Sequence, residues 1–267
     1  METNPKPGSQ PIDLFMFHAA ATGPRSLDTL RNQLDDGRLN ITIPNLTAHH
    51  NIKTPRIKTH LVDISAHLEL QDLSQTIFFG HSMGGLTALS LANEMNKKNN
   101  PPRAVILYEP ILHGVLEPDV DSDKSALDWD RQIVEQMRSD FTAGNIKLGL
   151  SRFVSAWNEQ QFEDLPVAVQ TTLLKDAKNL LEDVMELPQI ALTLKDIESM
   201  NSPIVSIVGE NSPVFCQRVG HNLMKAQNTT VHSLGGCAHM GPIDRPELIS
   251  AFIRPFIKKT PASLNRK

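Results

Sequence analysis

Ser82 stands in the run Gly80-His81-Ser82-Met83-Gly84-Gly85, with a glycine two residues before it and another two residues after. The apolar residues 76–79 before this run have the pattern of a buried strand, and residues 86–95 after it have that of an apolar helix. A serine on a sharp strand-to-helix turn is placed as a nucleophile, because small flanking residues let strand and helix approach closely. The turn also sets the hydroxyl at a helix N-terminus, where free N–H groups favour developing negative charge. The backbone N–H of Met83 is then one candidate oxyanion donor. The plainer reading, a serine that only caps the helix, leaves the strand and both glycines without a purpose.

A serine nucleophile needs a base, and ten histidines compete for the role. His239 lies in Gly235-Gly236-Cys237-Ala238-His239-Met240-Gly241-Pro242, between the last strand pattern and the last helix pattern. Active sites of open α/β sheets gather at the carboxyl ends of parallel strands, and the glycines let a ring reach the serine. His49, His50, His60, His67 and His113 lack that placement and read as solvated or packed residues. His18 and His81 border the expected pocket as possible auxiliaries. The loop after the first strand, His18-Ala19-Ala20-Ala21-Thr22-Gly23-Pro24, has small side chains that keep its backbone accessible, and the N–H of Ala20 is the preferred second oxyanion donor.

The elements needed to hold these groups alternate along the chain. Strand patterns at 12–17, 41–43, 76–79 and 104–108 are interleaved with helix patterns at 26–35, 57–70 and 86–95. Ser26 is the expected cap of the first helix, which is expected to stop near Gly37. From 112 to 201 no strand-like run occurs, and helix patterns at 129–137, 146–157, 168–181 and 190–197 follow one another. Strands at 203–208 and 229–233 and helices at 214–226 and 246–257 complete the series. The alternation predicts an α/β fold with a mainly parallel sheet flanked by helices. Residues 1–111 and 202–267 form its core, and 112–201 a helical cap insertion roofing an apolar pocket. Trp129, Met137, Phe141, Phe153 and Trp157 are candidate lining.

Composition narrows the partners. With 26 basic against 30 acidic residues, a formal net charge of -4 and no basic block, nucleic acid is not an expected partner. The polar, proline-rich start lacks a secretory leader and no later run is long enough to span a bilayer, so the expectation is a soluble, cytoplasmic protein. The sequons at Asn40, Asn45 and Asn228 are then chance matches. Cys216 and Cys237 read as small buried hydrophobes, and the acidic stretch 119–130 as a solvated loop and helix start rather than a metal site. No phosphate loop or dinucleotide fingerprint is present, so no cofactor or metal is expected, and nothing specifies an oligomeric state.

Over residues 12–257 the chain resembles the α/β-hydrolase superfamily, through the His18 loop, the GHSMGG turn, the cap-like insertion and GCAHMGP before a Pro246-Glu247 helix. The resemblance implies an α/β-hydrolase fold and an aspartate after the strand at 203–208. Ser212, in Gly209-Glu210-Asn211-Ser212-Pro213, stands in that place instead. Some superfamily members carry the acid one strand earlier, and the pairing of Tyr108-Glu109-Pro110 with GENSP resembles that subgroup. Glu109 is therefore the preferred acid, ahead of Glu210. The implied activity is hydrolysis of a small to medium carboxylic ester, or related acyl bond, through an acyl-enzyme. Carbon–carbon bond hydrolysis, acyl transfer and cofactor-free perhydrolysis are alternatives within the superfamily, and a non-catalytic ligand-binding protein is one outside catalysis.

Overall fold

A computed structural model of the chain describes residues 11–46 and 56–258. Six parallel strands form one sheet: β1 (Ile12–Phe17), β2 (Leu39–Thr42), β3 (Thr76–His81), β4 (Ala104–Tyr108), β5 (Ile204–Gly209) and β6 (Thr229–Leu234), in the order β2-β1-β3-β4-β5-β6. Every residue of β3, β4 and β5 is buried, as continuous apolar runs require when helices cover both faces. The edge strands β2 and β6 are only partly buried.

Alternate strand residues feed two cores. Leu14, Met16, Ile77, Phe79, Ile106 and Tyr108 face α1 (Asp28–Leu34) and α9 (Pro246–Lys258), which contribute residues such as Leu30, Leu34, Ile249 and Ile253. Phe15, Phe17, Phe78, Val105 and Leu107 face α2 (Arg56–Leu68), α3 (Met83–Lys97) and α8 (Val214–Leu223). Each such side chain contributes roughly 1.5–3 kcal/mol when fully buried.

Between β4 and β5 lie α4 (Asp121–Thr142), α5 (Ile146–Trp157), α6 (Val167–Glu186) and α7 (Leu194–Glu198), with no strand among the described residues. These helices are bound to the rest by buried polar contacts. Arg56 pairs with Asp183, and the Glu186 carboxylate accepts from the N–H groups of Ile57 and Lys58 at 3.0 Å, placing negative charge at the start of α2. Asp123 accepts from the Glu117 N–H, Arg218 and Asn222. Burial opposes its charge, yet these donors hold its carboxyl below the usual range.

Several local expectations are corrected. Ser26 does not cap the first helix: its hydroxyl donates to Gly23 O at 2.7 Å within a 3-10 turn, Pro24–Leu27, and α1 starts after it. Helix α1 ends at Leu34, with Asp35 extended, close to the expected stop near Gly37. The last helix before β5, α7, begins later than its apolar pattern, because Thr193 and Asp196 form a reciprocal capping box. The acidic stretch is not simply solvated: Asp123 is fully buried, and Asp130 is buried against His113 at 2.8 Å. His60 is buried and His67 bonds to Gln71, while His49 and His50 lie outside the described residues. Among the described residues no helix is long and apolar enough to cross a membrane.

Candidate active site

Ser82 is the residue between β3 and α3, with φ 58° and ψ -121°, a backbone conformation that a residue with a Cβ rarely adopts. Packing enforces it. A Cβ on Gly80 would lie 2.4 Å from Gly84 O, and one on Gly84 would lie 2.1 Å from Phe17 O. The Ser82 N–H donates to Tyr108 O at 3.0 Å, and its carbonyl accepts from Gly85, Leu86 and Ile111. Strand, helix and the chain beyond β4 thus converge on one residue.

The side chains singled out from the sequence meet there. Ser82 Oγ is 3.0 Å from His239 Nε2, and His239 Nδ1 is 2.8 Å from Glu109 Oε2. Ser82 is 6% exposed, His239 4% and Glu109 0%. A carboxylate so enclosed needs compensating donors. Its second oxygen, Oε1, accepts from the Gly209 N–H at 2.6 Å and from the Ser212 hydroxyl. Ser212, where an aspartate was expected, thus serves as a donor to the carboxylate that stands one strand away. Glu109 also has a left-handed φ of 46°, pinned by its N–H on Ile207 O at 3.0 Å. Glu210 is exposed, with its backbone tied to Leu234 O, and takes no part in the chain.

The loop carrying His239 is gripped by two side chains from the strand ends. The Tyr108 hydroxyl donates to Ala238 O at 2.7 Å, and His81 Nε2 donates to His239 O at 2.8 Å. Gly241 must be glycine for this grip, because a Cβ there would lie 2.2 Å from the Tyr108 oxygen. Complete burial, reinforced by His239, pushes His81 down to about 3, which keeps it neutral and fixes it as a donor. The sequence offers His81 as a possible auxiliary but gives Tyr108 no role; its only signal is a tyrosine in a buried strand, whose hydroxyl must find a partner.

His18 supports the other loop. Its Nε2 accepts from the Leu46 N–H at 3.0 Å and its Nδ1 donates to Ala19 O at 2.9 Å, and burial lowers it to about 4. Thr22 donates to the same carbonyl at 2.8 Å, and Ala21 has φ 60°. Among the described residues, no protein acceptor takes the N–H of Ala20 or of Met83.

From the helices between β4 and β5, Trp157 packs on His239 with ring centroids 4.8 Å apart, backed by Trp129 at 5.1 Å and Phe153 at 6.4 Å. Trp129 and Trp157 also line a cavity of about 340 Å³ with Asn158, Glu159, Asn211 and Pro213. Met137, Phe141 and Phe153 do not: Met137 is completely buried among helices, Phe141 fills the space beside Gly149, and Phe153 packs behind Trp157. Cys216, on α8, is buried with Sγ 3.5 Å from His239 Nδ1, and Cys237 is buried as well. Burial and the Glu109 carboxylate push the Cys216 thiol well up.

A parallel sheet in this order, with a serine on the β3–α3 turn, defines an α/β hydrolase. The chain belongs to the alpha/beta hydrolase family, whose model matches residues 14–252. It is similar to the uncharacterized hydrolase YugF of Bacillus subtilis (strain 168), 24% identical over 226 residues that cover 74% of this chain and 70% of that one. Among solved structures it resembles a carboxylesterase of the ammonia-oxidizing thaumarchaeon Nitrososphaera gargenis (TM-score 0.66, 15% identity, 96% of this chain and 91% of that chain). It also resembles the 2-hydroxy-6-oxo-6-phenylhexa-2,4-dienoate hydrolase of Rhodococcus sp. strain RHA1 (TM-score 0.68, 12% identity, 94% and 92%).

Proposed function

We propose that this hydrolase cleaves a small to medium carboxylic ester, with Ser82 as nucleophile, His239 as general base and Glu109 as the orienting acid. The observation that carries the reading is the continuous contact from Ser82 Oγ through both ring nitrogens of His239 to Glu109 Oε2. With Nδ1 donating to Glu109, Nε2 is left unprotonated and faces the serine hydroxyl. It takes the serine proton as Oγ attacks the acyl carbon, and Glu109 offsets the positive charge that then forms on the ring. The developing oxyanion is received by the N–H groups of Ala20 and Met83, the second favoured by the N-terminus of α3. The protonated ring releases its proton to the leaving alcohol. Water, activated by the same nitrogen, then frees the acid from Ser82.

In this reading residues 112–201 are the cap and residues 1–111 and 202–267 the core. Trp157 carries the cap onto the catalytic base, and the cavity beside it is where acyl or alcohol groups are selected. Fold kinship with a carboxylesterase agrees with ester chemistry. The test is labelling of the intact protein with a fluorophosphonate probe, followed by peptide mapping and assay against a series of short-chain aryl esters. Modification at Ser82, abolished in Ser82→Ala along with ester turnover, is the expected result. A folded protein that resists the probe and turns over no ester would overturn the proposal.

A further inference from the structure

Three buried side chains of different ligand chemistry converge beside the serine: Glu109 Oε2, His239 Nδ1 and Cys216 Sγ, with one ligand atom from each within 4.8 Å of the others. Ester hydrolysis uses the first two and has no use for the thiol. We propose that this cluster is an inhibitory site for a thiophilic divalent cation such as Zn²⁺ or Cd²⁺, which silences the hydrolase by capturing the inner nitrogen of its base.

One of the three separations already suits such an ion, and the other two need adjustment: the Cys216 sulfur and the Glu109 oxygen, within 4.8 Å of each other, must close to about 3.5 Å. Sulfur and imidazole nitrogen bound to one zinc at ~2.3 and ~2.05 Å with a tetrahedral angle lie about 3.5 Å apart, and Sγ and Nδ1 are 3.5 Å apart here. The Nδ1 to Oε2 separation of 2.8 Å is that of a hydrogen bond. It must open by about half an ångström to become the edge of a tetrahedral site. Glu109 is prepared for that change, since its other oxygen remains held by the Gly209 N–H and the Ser212 hydroxyl.

Charge favours the exchange. The cluster holds a carboxylate, a thiol and a neutral imidazole. When the cation binds, the thiol proton leaves to solvent and the imidazole proton moves from Nδ1 to Nε2. A divalent ion is then matched by thiolate and carboxylate, so the buried site becomes neutral. The moved proton is the inhibitory event, because a protonated Nε2 cannot accept the proton of Ser82.

The cavity of about 340 Å³ adjoins this cluster, lined by Ala238 before His239, by Trp157 against its ring and by Pro213 before α8, with the Glu159 carboxylate among its walls. Mg²⁺ and Ca²⁺, which prefer oxygen ligands, are poor occupants.

Binding itself does not depend on the ester-hydrolase reading; only the inhibitory consequence rests on it. The experiment titrates the intact protein with Cd²⁺ or Zn²⁺. It follows the ultraviolet charge-transfer band of cadmium thiolate and the rate of fluorophosphonate labelling at Ser82. One equivalent per chain should produce the band and stop labelling, and a chelator should restore it, while Mg²⁺ does neither. Cys216→Ala should lose the band and need at least about tenfold more metal to block its own metal-free labelling rate; Cys237→Ala should keep both responses. If the alanine variant does not fold, Cys216→Ser substitutes a poor ligand for soft cations. An unchanged metal response in the Cys216 variants, or no band in the parent protein, overturns the site. Absence of labelling before any metal is added overturns the hydrolase reading instead, and a Cys216-dependent band would still establish the metal site.

Discussion

At the end of β4 the chain leaves the sheet through Glu109, with a strained backbone and a carboxylate sealed from solvent. One strand over, at the end of β5, it leaves through Gly209 and Ser212, which supply an N–H and a hydroxyl. Both ends serve the same histidine, the first directly and the second through the first. The position of the carboxylate that meets His239 is therefore a property of two adjacent strand ends, and neither segment discloses it alone.

The largest effect should come from breaking the β4 end. Glu109→Gln keeps the shape but removes the charge that orients His239, and should lower kcat/KM for an ester substrate by about 10⁴-fold. Glu210→Gln, at an exposed position, should stay within about twofold of the parent by the same logic. Steady-state kinetics on the pair decide the assignment: collapse of the Glu210 variant with an active Glu109 variant would reverse it.

A smaller loss is expected at the β5 end. Ser212→Ala removes one hydrogen bond to a charged acceptor, worth about 1.5–3 kcal/mol. The carboxylate keeps its Gly209 and His239 partners, so kcat/KM should fall roughly tenfold or somewhat more, well short of the Glu109 loss. Equal losses in the two variants would mean that Ser212 does more than support its neighbour.

The smallest test concerns the histidines beneath both ends. His18 and His81 have folded values of about 4 and about 3, against an ordinary 6.5. Between about pH 6.5 and the folded values, the unfolded chain binds protons that the folded chain refuses, so stability falls as pH falls and is fully retained above that window. Melting temperature should decline by several degrees from pH 7.5 to pH 4.5, and His81→Gln should make the decline shallower. An acid limb identical in the variant would show that His81 is not held neutral by burial.

The succession of strands and helices along the chain was legible because buried strands read as unbroken apolar runs and the serine turn as a local glycine pattern; the order of strands within the sheet was not. Glu109 was legible only with help from a family resemblance, since nothing in Tyr108-Glu109-Pro110 records which loop it faces. The grip of Tyr108 and His81 on the carbonyls of Ala238 and His239 was not legible at all. Backbone acceptors carry no residue identity. Asp123 was misread as solvated for a related reason: its partners Arg218 and Asn222 lie on α8, far along the chain, and an acidic run looks the same with or without them.

The backbone of Ser82 has a consequence for anyone who engineers this protein. A glycine at that position could adopt φ 58° without a Cβ penalty, and would relieve on the order of 1–3 kcal/mol of strain while removing the hydroxyl. Glu109 carries a similar strain at φ 46°, but glycine there would leave the buried Gly209 N–H and Ser212 hydroxyl without their acceptor, so stability favours keeping it. A screen that rewards heat resistance alone would therefore favour loss of the Ser82 hydroxyl, the proposed nucleophile. Selection for thermostability in this molecule has to be coupled to turnover at every round.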